Sequence, residues 1–318
     1  MPRRPARPER LAPDAAGVAR AAALLREGRL VAIPTETVYG LAADARTPEA
    51  VAAIYAAKER PAFNPLIAHV ADADAAAALV HWPETAARLA RAFWPGPLTL
   101  VLALRPGHGL APGVTAGLET LAVRVPDQPV TRALLAAMGG PLAAPSANPS
   151  GRLSPTRPEH VIAGLGERIA AVLDAGPCPV GVESTILALE PTPRLLRPGG
   201  VPAEAIEAVL GAPLAGCAPD PATPQAPGQL ASHYAPRAAL RLNADAPRPG
   251  ERMLGFGEVA GELTLSATGD LAEAAANLFH HLHALDDGTH PIAVAPIPQT
   301  GLGRAINDRL RRAAAPRD

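Results

Sequence analysis

Cysteine is nearly absent: Cys178 and Cys217 are the only two in 318 residues, too few and too far apart for a disulfide framework or a cysteine-built zinc module. A reducing, cytoplasmic location is the expectation. Aromatic residues make up 3% of the chain, and 29 basic residues nearly cancel 30 acidic ones. That leaves no broad cationic, stacking surface, so strong direct nucleic-acid binding is not expected. No apolar window approaches the ~18 residues of a membrane span. The opening MPRRPARPER is basic but lacks the apolar segment of a signal peptide, and no membrane partner is expected. No fixed repeat accompanies the 38 prolines. Lysine is the extreme case, because Lys58 stands alone among arginines.

The richest chemistry surrounds that lysine. An apolar strand, Leu30 to Ile33, runs into Pro34, which places Thr35, Glu36 and Thr37 at a strand's carboxyl end, where open α/β sheets bind ligands. A helix then starts with Thr47 as N-cap and Pro48 at its first position and stops before Pro61. Val51, Ile54, Tyr55 and Lys58 fall at i, i+3, i+4 and i+7, which puts Lys58 on the buried stripe. An ammonium there either caps the helix and snorkels outward or grips a phosphate. Arg60, Asn64-Pro65 and His69 add polar groups to the same strand–helix–strand unit and favour the second reading.

Further along, helices are expected over 15–28, 72–79, 84–93 and 127–138. Strands are expected over 98–104, 120–125, 141–144, 171–175 and 186–189. Arg124 interrupts one apolar strand. It either faces water at an edge or meets an anion, and a bidentate carboxylate would suit it. Pro145 to Gly151 offers two hydroxyls and an amide on a backbone fixed by prolines, a surface turn or a close approach to a ligand. Ser184 and Arg197 lie at strand ends. This mixture predicts an α/β layer fold. The Pro/Ala-rich run after residue 211 reads as a linker, giving a flexible arm over 1–14, a first domain over 15–211, a linker over 212–236 and a smaller Rossmann-like α/β domain over 237–318. Ser232-His233-Tyr234-Ala235-Pro236 is a polar knot in that linker. His280, His281 and His283 read as a solvated helix face, and Gly301 to Arg304 as helix entry or a weak anion site.

With these motifs assembled, the chain resembles the threonylcarbamoyl-AMP synthase family in its longer two-domain form. The resemblance rests on Pro34-Thr35-Glu36-Thr37-Val38-Tyr39-Gly40-Leu41, Lys58-Glu59-Arg60-Pro61 with Asn64-Pro65-Leu66, Ala122-Val123-Arg124-Val125-Pro126, Ser146-Ala147-Asn148, Glu183-Ser184-Thr185 and Arg197-Pro198-Gly199. It implies a YrdC-like twisted mixed open sheet and the conversion of L-threonine, bicarbonate and ATP to threonylcarbamoyl-AMP and pyrophosphate. The product would feed a separate tRNA-modifying transferase. The resemblance further implies that Lys58 and Arg60 are catalytic. They would face ATP with Asn64, Thr120, Ser146, Asn148, Ser154, Arg197 and Tyr234, and Mg²⁺ would sit on the phosphates rather than on protein side chains. Thr35, His69, Arg124, Ala144 and Ser184 would hold threonine, Arg124 taking its carboxylate. Where such relatives often carry an acidic residue, Ile186-Leu187-Ala188-Leu189 is apolar. A carbamoyl-adenylate-forming relative and a non-catalytic RNA-binding module are the alternatives. The first is disfavoured by the lack of a cysteine-rich zinc module, the second by charge and aromatic content.

Overall fold

Short buried strands alternating with helices build two sheets of unequal size. The computed structural model describes residues 7–215, 226–228 and 232–316. The strands of the first sheet are β1 (Glu9–Leu11), β2 (Val31–Ile33), β3 (Gly40–Asp44), β4 (Ile67–His69), β5 (Leu98–Ala103), β6 (Thr120–Arg124), β7 (Leu142–Ala143), β8 (Ala171–Leu173), β9 (Thr185–Ala188) and β10 (Arg194–Arg197). Their spatial order is β1-β8-β2-β3-β7-β4-β6-β5-β9-β10. Parallel pairs such as β4–β6 and β5–β9 alternate with antiparallel pairs such as β4–β7 and β5–β6, so the sheet is mixed, as expected.

Helices α1 (Ala15–Arg26), α2 (Pro48–Lys58), α3 (Ala73–Leu79), α4 (Glu84–Phe93), α5 (Pro129–Met138), α6 (Pro158–Leu165) and α7 (Ala203–Leu210) accompany this sheet. α2 begins at Pro48, as expected, although Thr47 makes no side-chain cap bond. Its C-cap, Glu59, adopts the left-handed conformation (φ 53°). That conformation is rare for a residue with a Cβ, and it turns Arg60 back so that its amide reaches Tyr55 O at 3.0 Å.

The second sheet has β11 (Leu240–Arg241), β12 (Arg252–Gly255), β13 (Leu263–Thr264) and β14 (Ile292–Val294), ordered β11-β14-β12-β13 and all parallel. It packs with α8 (Leu271–Leu285) and α9 (Gly303–Ala314) around its own apolar cluster, the smaller α/β domain anticipated. Val38, Leu153 and Val182 of the first domain join that cluster, so the two domains share core. Among the described residues no helix is long and apolar enough to cross a membrane.

Three readings need correction. The arm over 1–14 is not loose throughout: Glu9–Leu11 pairs in parallel with β8, and Asp14 caps α1 by accepting from Gly17 N at 2.8 Å. The linker over 212–236 falls in part on residues outside those described, but Ala226 packs in a first-domain cluster, Ala235 N donates to Gly151 O at 2.8 Å, and Tyr234 joins the second domain's cluster. The histidines of α8 are half-buried, not a solvated face. His283 stacks on His160 of α6 at 4.0 Å and its Nε2 lies 3.2 Å from Ser154 O. Two histidine rings thus meet across the domain boundary.

Candidate active site

The cleft opens where β2, β4, β6 and β10 end and β9 begins. Pro34 stops β2 from extending its ladder, and the next residues fold into a hydroxyl-stabilised turn. Thr35 Oγ1 donates to Val38 O at 2.6 Å and accepts from Thr37 N and Val38 N at 3.2 Å. This turn holds Thr35 and Thr37 against the cleft wall. His69 and Arg124 are register partners on parallel strands, so their side chains stand side by side. Ala144 and Ser146 line the opposite wall, and Ser184, Arg197, His233 and Tyr234 close it. The remaining cavity is about 40 Å³.

Arg124 does not face water: it is 3% exposed. Its Nη2 reaches Glu36 Oε1 at 2.5 Å, its Nη1 donates to Thr37 Oγ1 at 3.0 Å, and its Nε to Gly96 O at 3.1 Å. The anion that the sequence demands is therefore first the chain's own Glu36. Only sheet adjacency brings that pair together.

Lys58 is 1% exposed and donates to Ser146 O at 2.6 Å and Asn148 O at 2.5 Å. Its buried position on α2 is as the spacing predicts. Arg60 is held by Asn64 O at 3.0 Å, Asn64 Oδ1 at 2.6 Å and Pro65 O at 2.7 Å. Arg197 donates to Ser184 O at 2.9 Å, to Ser184 Oγ at 3.2 Å and to Pro227 O at 3.2 Å. None of these three forms a direct ion pair among the described residues, whereas the other two buried arginines, Arg124 and Arg309, both do. Burial pushes the Lys58 ammonium well below its ordinary value, with Arg60 repelling it further, and pushes Arg60 down to about 10. Lys58 and Arg60 are thus buried cations whose hydrogen bonds all go to neutral oxygens, whereas Arg197 also has the Glu183 carboxylate nearby.

His69 and His233 are also buried, and each keeps an Nδ1 without a partner. Burial, reinforced by Arg124 for His69 and Arg60 for His233, pushes both down to about 3. Both imidazoles are neutral at ordinary pH. Burial would raise the Glu183 carboxyl, but Arg309, Arg197 and the hydroxyl of Ser154 outweigh it and hold the group below the usual carboxylate range.

The structure gathers Thr35, Arg60, His69, Arg124, Ala144, Ser146, Ser184, Arg197 and Tyr234 in the cleft lining. Lys58, Asn64, Asn148 and Ser154 form a layer behind it, acting on the lining through hydrogen bonds. Thr120 is not brought in: at the far end of β6 it lines a separate cavity with Glu119, Glu190 and Arg194, four residues and roughly 13 Å of strand from Arg124. The sequence reading misses Glu36, Glu183 and His233 as site residues. The first two sit inside motifs already singled out, and that position was the available signal. The apolar run after Ser184 falls mostly on β9, buried between β5 and β10.

Comparison with known proteins agrees with this geometry. The Sua5–YciO–YrdC family model, described as telomere recombination, matches residues 23–199, and the threonylcarbamoyl-AMP synthase C-terminal domain model matches residues 201–315. A threonylcarbamoyl-AMP synthase of Bacillus subtilis is 44% identical, covering 94% of this chain and 93% of the relative. One from Pyrococcus abyssi is 40% identical, covering 92% and 93%. The crystal structure of P. abyssi Sua5 complexed with L-threonine superposes with a TM-score of 0.87 at 38% identity, covering 96% of this chain and 97% of that one. Matched domain models, relatives of 40% identity or more over nearly the whole chain and a shared fold place this chain in the threonylcarbamoyl-AMP synthase family, in its two-domain form.

Proposed function

We propose that the chain makes threonylcarbamoyl-AMP from L-threonine, bicarbonate and ATP, with pyrophosphate as the other product. The observation that carries this is the set of buried cations, Lys58, Arg60 and Arg197, none of them in a direct ion pair among the described residues, beside a second, amino-acid-sized corner at Thr35, His69 and Arg124. A polyphosphate supplies the absent negative charge, and threonine suits the corner.

In this reading bicarbonate carboxylates the threonine amine and releases water. A carbamate oxygen then attacks the α-phosphorus of ATP, the bond to the β-phosphate breaks, and pyrophosphate leaves. The attacking group is already an anion, so the protein's work is positioning and charge stabilisation rather than nucleophile activation. Arg60 and Arg197 line the phosphate corner, and Lys58 fixes the Ser146–Asn148 carbonyls beneath it. Arg124 takes the threonine carboxylate by exchanging part of its hold on Glu36 and Thr37. The neutral His69 accepts a hydrogen bond from the substrate, and Ser184 closes the far side. Thr120 would reach a nucleotide only if its base extended along the concave sheet face.

A cavity of about 40 Å³ holds neither ATP nor threonine, since such sites run to ~300–1,000 Å³. Entry therefore requires the lining residues Pro227, Gly228, His233 and Tyr234 to move aside, and their return excludes water from a hydrolysable product. Glu36 and Glu183, the carboxylates beside the cleft, are both committed to arginines. Among the described residues no three His, Cys, Asp or Glu groups gather to hold a metal. The protein's donors do not fit a resident cation, and magnesium would arrive on the ATP phosphates. A separate transferase would consume the product, a mixed anhydride, in tRNA modification.

Pyrophosphate release from ATP, measured with and without threonine and bicarbonate, tests this reading. Dependence on all three substrates, lost in Lys58→Ala and Arg124→Ala variants that still fold, is the expected result. Release that ignores threonine would sink the amino-acid site.

A further inference from the structure

Arg309 belongs to α9, the last helix of the second domain, yet it is 1% exposed and lies against the first domain's cleft. Its Nε donates to Glu183 Oε2 at 2.6 Å and its Nη1 to Pro198 O at 3.0 Å. Glu183 immediately precedes Ser184, and Pro198 immediately follows Arg197. One side chain thus ties the entrance of β9 to the exit of β10, where Arg197 meets Ser184. The same guanidinium lies 4.9 Å from the centre of the Tyr234 ring, within cation–π range. Asp308 Oδ2 accepts from Nη1 at 2.7 Å and steadies it from its own helix. Glu183 uses its second oxygen to accept from Ser154.

A domain glue would look different. Arg304 of the same helix pairs with Glu204 of α7 at 3.2 Å, with both side chains about half exposed. Such a surface pair contributes little and touches nothing in the cleft. Arg309 instead touches Glu183, Pro198 and Tyr234, on three segments that border the cleft. Without it, Glu183 would be a buried carboxylate with its direct ion-pair partner gone, and the Tyr234 ring would lose its platform.

We propose that Arg309 is a positioning residue for the reaction: from the second domain it fixes Glu183 and seats Tyr234, so that the Ser184–Arg197 edge grips substrate only while α9 is docked. The inference rests on the synthase reading and names the contact through which the second domain serves the first domain's chemistry.

The test is steady-state kinetics of pyrophosphate release on the full chain. Arg309→Met is expected to lower kcat/KM for both ATP and threonine by about 100-fold. Arg309→Lys, which keeps the charge but not the fork, should lose about tenfold. Arg304→Ala, which breaks the exposed pair of the same helix, should stay within about twofold of wild type. Because Glu183→Gln and Arg309→Met act through one contact, the double variant should be no worse than the poorer single one. The pH profile adds a readout that domain glue would not move. The groups facing Glu183 are Arg197 on β10, Ser154, His233 and Tyr234 on the strap, and Arg309 and Asp308 on α9. With Arg309 gone, burial outweighs the remaining cation, and the acid limb of kcat/KM should move up by about one pH unit.

Losses equal in Arg304→Ala and Arg309→Met, or additive losses in the double variant, would overturn the proposal. If Arg309→Met does not fold by circular dichroism and thermal unfolding, Arg309→Lys with Glu183→Gln forms the same cycle with a smaller perturbation. A wild type without threonine-dependent release defeats the functional reading, whereas an active wild type with an unimpaired Arg309→Met defeats this inference alone.

Discussion

Lys58 shows how a single side chain can serve activity against stability. An ammonium 1% exposed and bonded to two carbonyls sits where a thioether of similar length would fit with no charge to desolvate. Lys58→Met is therefore expected to leave the melting temperature unchanged or raise it while lowering pyrophosphate release by at least about 100-fold. A thermal melt and a turnover assay on the same sample check both halves, and a large drop in melting temperature would contradict the argument. The buried imidazoles give a second expectation at this scale. His69 and His233 are pushed down to about 3 from an ordinary 6.5, so between those values the unfolded chain binds more protons than the folded one. Stability then rises with pH across that window and is fully present above about 6.5. Acidifying from pH 7 to pH 5 should remove up to about 2 kcal/mol for each imidazole, read as a falling midpoint of urea unfolding, and replacing either histidine by Gln should flatten the dependence. Lys58 was legible in the sequence because helical spacing fixes which face a residue occupies. The Arg124–Glu36 pair was not, because 88 residues separate its members and only strand adjacency joins them.

At the scale of elements, the strands that carry the site tolerate very little beside them. A Cβ on Gly199, just past β10, would lie 2.3 Å from Glu183 O, Ser184 C and Thr185 N, all backbone atoms that cannot step aside. Gly199→Ala should therefore part β9 from β10, destabilise the chain by about 2–4 kcal/mol and weaken threonine binding. Calorimetry with and without threonine would measure both effects, and a neutral substitution would mean that the two strands can separate without consequence. Several helices were readable from caps and breakers, though α6 and α7 were not: Pro48, the left-handed end of α2 and Gly28 (φ 75°) after α1 all stand at or next to boundaries the sequence announces. β3 was not, since Gly40-Leu41-Ala42-Ala43-Asp44 is buried throughout and shows no alternation to mark a strand. β1 escaped for the opposite reason, being three residues of exposed or half-exposed edge in a basic run. The histidines of α8 looked solvated because the surface that covers them belongs to the other domain.

For the whole molecule, closure over a cavity of about 40 Å³ predicts that substrates bind to a form with the strap displaced and are then enclosed. Saturating ATP with threonine should raise the melting temperature more than the sum of the two separate shifts, because each ligand favours the same closed arrangement for the other. Shifts that simply add would argue for independent sites. The presence of two domains was legible as a change of composition along the chain. What the second domain does was not, because its contribution reaches the cleft through a residue near the chain's end. The order of strands also carries a consequence in time. β1 and β8 are partners although about 160 residues lie between them, and β5 must wait for β9. Such distant pairings close large loops before any contact rewards them, so the first sheet should assemble slowly, with helices α1 and α2 protected from hydrogen exchange early and the cleft strands late. A newly made chain would then pass through an interval in which it has most of its helices but no place to hold a nucleotide.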